Sequence, residues 1–453
     1  MNKQKIPLAI SLLLLDSILL TGCITSDNEP TPPTQSEEDI ATDLMMRFSN
    51  GTITDIYDSY FTKEIKAQAP VEQLELIWTQ ITTQYGNFSG ITGTRITQEQ
   101  GYTIVYVTCT YDILGLLDTR VVFDADKLIA GFQFVPTDIS DQYQPPSYAN
   151  PALFTEHNVT IGEGTAWALP GTLTVPQGDG PFPAVILIHG SGPNDRDETI
   201  GPNKPFKDLA WGLATNGIAV LRYEKRTKYY SDTIVTMLDT FTVDEETIDD
   251  AYAAIELLQN TDSINTSQIY LLGHSLGGML APRIAENTTA LAGVIMLAAP
   301  ARHLEDLMLN QTIYLSQLDG TITAAEQAQI NVTRENVSRI KTLDLGEHDI
   351  ILGAGIAYWR DLQSYDPVAT ALNLTVPLLI MQGQRDYQVT YEEDFATWKE
   401  RLGGQSNVQF QSYETLNHLF IAGSGPPTNQ EYINPGNVAE DVITDITSWI
   451  LAL

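Results

Sequence analysis

The stretch QIYLLGHSLGGMLAPRIAEN (residues 268–287) changes character within a few residues. Its first part, through Leu272, is strand-length and apolar, as a strand buried on both faces is. From Leu276 the apolar positions recur at helical spacing instead. Between the two stand His274 and Ser275, crowded by Gly273, Gly277 and Gly278. The chain must therefore turn sharply from strand into helix, with Ser275 at the apex. The spacing is G-x-S-x-G, in which bulk at either flanking glycine clashes and the serine is exposed at the C-terminal edge of a sheet.

Further apolar runs of strand length surround this turn: FPAVILIHG (182–190), GIAVLRYEK (217–225), LAGVIMLAAP (291–300) and VPLLIMQGQRD (376–386). Helical patterns such as VDEETIDDAYAAIELLQN (243–260) separate them. Buried strands alternating with helices predict an α/β fold, a doubly wound and mostly parallel sheet. Residues 303–374 interrupt that rhythm with a long helix-rich stretch, which is expected to be an inserted helical cap.

A serine hydroxyl needs a base to become a nucleophile. LIHGSGPND (187–195) ends an earlier strand where backbone N–H groups can meet an oxyanion; the expected donors are the N–H groups of Ser191 and Leu276. MQGQRDYQV (381–389) sets Asp386 just past the strand that follows the cap. YETLNHLF (413–420) sets His418 after the last expected strand, VQFQSY. His418 would take the proton of Ser275 and return it to the leaving group, while Asp386 orients the imidazole. Bland alternatives are a helix cap for Asp386 and a surface loop for His418. His157 precedes the sheet, and His303 and His348 fall at or in the cap. His189 is expected to shape the oxyanion loop, and His274 to pack beside the serine. The charged run Asp195–Glu198, with Asn203 and Lys204, is either a solvated loop or a polar rim that orders the oxyanion loop.

With these motifs in the order Ser…Asp…His, residues 153–453 resemble the α/β-hydrolase superfamily, near its carboxylesterase and serine-aminopeptidase-like branches. The stretch 189–227, with YWRDLQSYDP (358–367) and QGQRDYQV, resembles a narrower group of exported esterases that carry an extra N-terminal domain. The resemblance implies a serine carboxylesterase without a cofactor or metal, acting on a small-molecule ester. A peptidase or amidase with the same triad remains an alternative, as does a non-catalytic surface binding lipoprotein. The dienelactone-hydrolase branch uses cysteine, against which Ser275 argues.

Residues 38–136 show two helical patterns, DIATDLMMRF and PVEQLELIWTQITTQYG, then alternating runs such as YTIVYVTCTYDI with a turn at Asp124–Asp126. They resemble the α+β domain of unknown function found before some exported hydrolases. Residues 137–152 are expected to be the linker. At the start, Lys3 and Lys5 precede an apolar run of signal-peptide length, and LTGC (20–23) resembles a lipobox. Residues 1–23 are thus expected to be a lipoprotein signal with lipid on Cys23, and 24–37 a flexible tether. That places the protein outside the cytoplasmic membrane, anchored to its outer face. With 57 acidic against 24 basic residues and a net charge of −33, nucleic acid is excluded as a partner.

Overall fold

The computed structural model describes residues 35–85, 88–99, 101–111, 115–137, 139, 142–346 and 348–453. Cys23 and the expected signal segment lie outside the described residues, as does most of the tether. The chain divides into two compact units between residues 138 and 139.

The smaller unit opens with α1 (Glu37–Asn50), α2 (Ile53–Tyr60), α3 (Lys63–Gln68) and α4 (Val71–Tyr85). An antiparallel sheet follows in simple sequence order: β1 (Phe88–Glu99), β2 (Tyr102–Tyr111), β3 (Gly115–Phe123) and β4 (Ile129–Pro136). Helix α1 starts where the Ser36 hydroxyl accepts the Asp39 N–H at 3.1 Å, and stops at Gly51, whose φ of 67° suits a residue without Cβ. Its Ile40, Leu44 and Phe48 share one stripe and pack in a core with Val105, Val107, Val121 and Phe123. The turn expected at Asp124–Asp126 is closed by Asp124 Oδ1, which accepts the N–H groups of Asp126 and Leu128. Helices α2 and α3 are too short to show a period in the sequence. Strand β1 is equally silent in the sequence, because an edge strand with mostly exposed residues lacks apolar alternation.

The larger unit begins its sheet with β5 (Phe154–Ile161), β6 (Leu169–Pro176) and β7 (Phe182–Ile188). Helix α5 (Pro205–Thr215), β8 (Ala219–Tyr223), the single-turn helices α6 (Arg226–Tyr229) and α7 (Ser231–Ile234), and α8 (Asp249–Gln259) come next. They lead to β9 (Ile264–His274), α9 (Leu276–Glu286) and β10 (Gly293–Leu297). Four helices fill the expected cap: α10 (Leu304–Ser316), α11 (Ala324–Thr342), α12 (Ile356–Gln363) and α13 (Pro367–Leu372). The unit closes with β11 (Leu378–Gly383), α14 (Ala396–Leu402), β12 (Val408–Tyr413) and α15 (Glu440–Ala452).

The sheet order is β12-β11-β10-β9-β7-β8-β6-β5, and β6 runs antiparallel to both of its neighbours while the other pairings are parallel. Strand β7 shows why the apolar runs are continuous: Ala184, Ile186 and Ile188 enter the core on one face, Val185 and Leu187 the core on the other. Cap residues Val337, Ile340, Trp359 and Leu362 extend the first of these cores.

The segment expected as a linker, residues 137–152, is bonded to the larger unit along part of its length. Tyr143 donates to Asp208 Oδ1 at 2.7 Å, Tyr148 donates to the Val438 carbonyl at 2.7 Å, and the Asn150 N–H donates to Thr215 Oγ1 at 2.9 Å. Its polar and proline-rich composition looks like a tether, yet its two tyrosines fasten residues 143–150 to the larger unit.

Candidate active site

Strand β9 ends at His274, α9 begins at Leu276, and Ser275 between them has φ 52° and ψ −119°. That backbone is strained for a residue with a Cβ and holds the hydroxyl clear of both elements. The Ser275 N–H donates to the Leu297 carbonyl at 2.9 Å, and its own carbonyl accepts the Met279 N–H at 2.9 Å. A Cβ at Gly273 would lie 2.2 Å from the Gly277 carbonyl oxygen, and one at Gly277 would lie 2.3 Å from that of Ile188. Both positions therefore exclude any side chain. Leu276 opens α9, where the first N–H groups lack intrahelical partners.

The loop after β7 runs beside this elbow. A Cβ built on Gly190 would stand 3.2 Å from the Ser275 Cβ. The Gly190 N–H donates to Glu198 Oε1 at 2.7 Å. Its carbonyl accepts Lys225 Nζ at 2.7 Å and Asn194 Nδ2 at 3.2 Å. Asn194 Nδ2 also reaches the Ser191 carbonyl at 3.1 Å, and Thr227 Oγ1 donates to that of Gly192 at 3.3 Å. His189 holds the far side of the loop: its Nε2 donates to the Asp195 carbonyl at 3.0 Å, and burial lowers its pKa to about 4, which keeps the ring neutral. The charged run is a rim that orders the loop. Asp195 accepts the N–H groups of Asp197 and Thr199, Arg196 pairs with Glu224 at 2.7 Å, and Asp197 pairs with Arg222 at 2.9 Å.

Asp386 follows β11 and is 4% exposed. Its Oδ1 accepts the N–H groups of Gln388 and Val389 at 2.8 and 3.0 Å, and its Oδ2 accepts Gln382 Nε2 at 3.0 Å. Oδ2 also lies 2.7 Å from His418 Nδ1. A carboxylate only accepts, so Nδ1 carries the hydrogen, and of the two neutral tautomers this is the one that leaves the lone pair on Nε2. The loop holding His418 is turned by Asn417, whose Oδ1 accepts the N–H groups of Leu419 and Ile421 at 3.0 and 3.2 Å.

His274 does more than pack locally. Its Nε2 donates to the carbonyl of His418 at 2.9 Å, and its Nδ1 lies 2.9 Å from Glu198 Oε2. Burial opposes a charged ring here, but the Glu198 carboxylate outweighs it and raises the His274 pKa above its usual value. Glu198 is likewise disfavoured by burial as an anion, yet His274 holds its pKa below the usual value. One buried pair thus joins the loop after β7, through Glu198, and the end of β9, through His274, to the loop bearing His418. Of the remaining three histidines, His157 on β5 contacts Thr155, His303 stands at the N-terminus of α10, and the exposed His348 faces Asp239. The pairing of Glu198 with His274 and of Lys225 with Glu246 is not legible in the sequence, since the partners lie far apart along the chain, and Gln382 behind Asp386 carries no motif of its own.

The pair implies a pH signature. The Glu198 contribution to stability is present above the ordinary carboxylate value of 4.5 and is lost as pH falls through its lowered one. The His274 contribution is full below the ordinary 6.5 and is lost as pH rises through its raised value. Glu198→Gln should therefore lower stability most between those ordinary values, by on the order of 2 kcal/mol, with a shrinking deficit in alkali. Thermal melts of both proteins from pH 5 to 9 measure this; a deficit constant across that range would show that the pair is not ionised.

Residues 184–423 match the family described as Serine aminopeptidase, S33, and residues 41–132 match a family of unknown function, DUF3887. Esterase EstD of Thermotoga maritima is 40% identical over 392 residues, covering 86% of this chain and 90% of that one. Among solved structures, Est1E from Butyrivibrio proteoclasticus aligns with a TM-score of 0.42 and 15% identity, over 65% of this chain and 99% of its own. An esterase from Pyrobaculum calidifontis aligns with a TM-score of 0.44 and 16% identity, over 66% and 85%. The chain is a member of the S33-type family of α/β serine hydrolases, and within it an enzyme of the esterase kind.

Proposed function

We propose that the enzyme hydrolyses carboxylic esters of small or medium acyl chains through an acyl-enzyme on Ser275. The observation that carries this reading is the contact between His418 Nδ1 and Asp386 Oδ2 at 2.7 Å, which leaves Nε2 as a base. The Ser275 hydroxyl attacks the ester carbonyl as His418 removes its proton. Asp386 stabilises the imidazolium, and the N–H groups of Ser191 and Leu276 receive the oxyanion. The imidazolium then protonates the departing alkoxide, and water activated by the same histidine releases the acid. Cap helix α10 reaches the segment just past Asp386: Tyr314 stacks on Tyr387 with ring centroids 5.4 Å apart, and Gln311 Nε2 donates to the Gln388 carbonyl at 3.2 Å.

An acyl-enzyme serves amides as well as esters, and the name of the Thermotoga relative favours esters. A panel of p-nitrophenyl esters of increasing acyl length, run beside aminoacyl anilides, tests this. Higher kcat/KM on the anilides would replace esterase by aminopeptidase. The lipid on Cys23 is part of the same proposal and rests on LTGC. Cys23→Ala should abolish incorporation of labelled fatty acid while esterase activity persists; undiminished labelling excludes Cys23 as the lipid site.

A further inference from the structure

Gly190 is held by two buried charges of opposite sign, Glu198 on its N–H and Lys225 on its carbonyl. The carbonyl of Gly190 and the N–H of Ser191 belong to one peptide unit. In a trans peptide these two groups point in opposite directions, and resonance couples them. A cation against the oxygen draws electron density away from the nitrogen and makes its N–H a stronger donor.

We propose that Lys225 is a positioning residue for ester hydrolysis: through the Gly190 carbonyl it orients and polarises the Ser191 N–H that receives the oxyanion. This rests on the reading of Ser191 and Ser275 given above.

Four observations support a role beyond packing. Lys225 is 2% exposed, so its ammonium has been taken out of water at a cost that neutralising Glu246 alone does not require. The Gly190 carbonyl already has a neutral donor in Asn194 Nδ2 at 3.2 Å, so the lysine adds charge at 2.7 Å where a hydrogen bond was available. The ammonium is fixed on its other side by Glu246 Oε1 at 2.6 Å, and Glu246 Oε2 is held by the Tyr358 hydroxyl at 2.7 Å. The backbone is fixed too, because the Lys225 N–H donates to the Asn194 carbonyl at 3.1 Å. Tyr358 lies on α12, so the chain Tyr358–Glu246–Lys225–Gly190 connects a cap helix to the oxyanion loop.

The test uses the full chain with Lys225→Gln, which keeps a donor but removes the charge, and with Tyr358→Phe, which loosens Glu246 and leaves Lys225 in place. Substrates are p-nitrophenyl butyrate and, as a mimic of the oxyanion, a trifluoromethyl ketone with the same acyl chain. Lys225→Gln should lower kcat about 10- to 100-fold, below the loss expected for removing an oxyanion donor outright, with KM within about twofold. Affinity for the ketone should fall by the same factor as kcat, a correlation that simple loosening of the fold does not produce. Tyr358→Phe should shift both quantities together by about threefold. If Lys225→Gln does not fold, Tyr358→Phe decides alone. Ketone affinity that stays at the wild-type value while kcat falls, or no change in either, overturns the role of Lys225. A wild-type enzyme that the ketone does not inhibit, with Ser275→Ala still active, overturns the underlying reading instead.

Discussion

Ser275→Ala is expected to eliminate ester turnover in a protein that still folds. Alanine retains the Cβ that the strained backbone at φ 52° already accommodates, and the Ser275 main-chain bonds to Leu297 and Met279 are untouched by the change. Only the hydroxyl is lost. His418→Ala should be nearly as damaging, because in the proposed mechanism base and nucleophile act as one unit, with losses on the order of 10⁶ in kcat when either is removed. Both variants should resist labelling by an organophosphate, which should attach to Ser275 once per wild-type chain. The measurement is kcat on an activated ester with parallel mass spectrometry of the labelled peptide. A Ser275→Ala protein with wild-type turnover, freed of contaminating esterase, would falsify the acyl-enzyme reading.

Asp386→Asn is expected to cost about 10⁴ in kcat, and the four donors around this carboxylate explain why so small a change is so harmful. Two backbone N–H groups, from Gln388 and Val389, converge on Oδ1 and cannot reverse their polarity. An asparagine must therefore set its carbonyl oxygen there and turn its NH₂ toward His418 Nδ1. Nδ1 can meet that NH₂ only by giving up its hydrogen, which moves to Nε2. The nitrogen that should take the serine proton is then already protonated. Gln382, which donates to Oδ2 in the wild type, would have to flip its amide as well. Folding and organophosphate binding pockets should survive, so the loss should appear in kcat with a modest change in KM. Activity within about tenfold of wild type would show that Asp386 does not set the tautomer, given the 10⁴ expected.

Much of the catalytic half was legible because its signals are local. The elbow is written in three glycines and a serine within a few residues, and the distances a Cβ would meet at Gly273 and Gly277 give the steric reason. The five apolar runs appear as β7, β8, β9, β10 and β11, since strands buried on both faces need no alternation. Strands β5 and β1 are not legible for the converse reason: each is an edge strand, largely exposed, with little apolar patterning to read.

The sequence by itself determined the succession of the buried strands β7 to β11 with helices between them, the sharp turn at Ser275, and the places of Asp386 and His418 just past strand ends. These depend on neighbours along the chain: periodicity, glycine at a tight turn, and the end of an apolar run. Tertiary structure alone decided which charges meet. Glu198 with His274, Lys225 with Glu246 and Tyr358, and Gln382 with Asp386 are buried polar contacts that join different loops, strands and helices. A buried charge is tolerable only when a partner arrives with the right geometry, and which partner arrives is settled by how the sheet and cap pack. For that reason Lys225 looks in sequence like one more strand-end lysine, while in the fold it faces the Gly190 carbonyl.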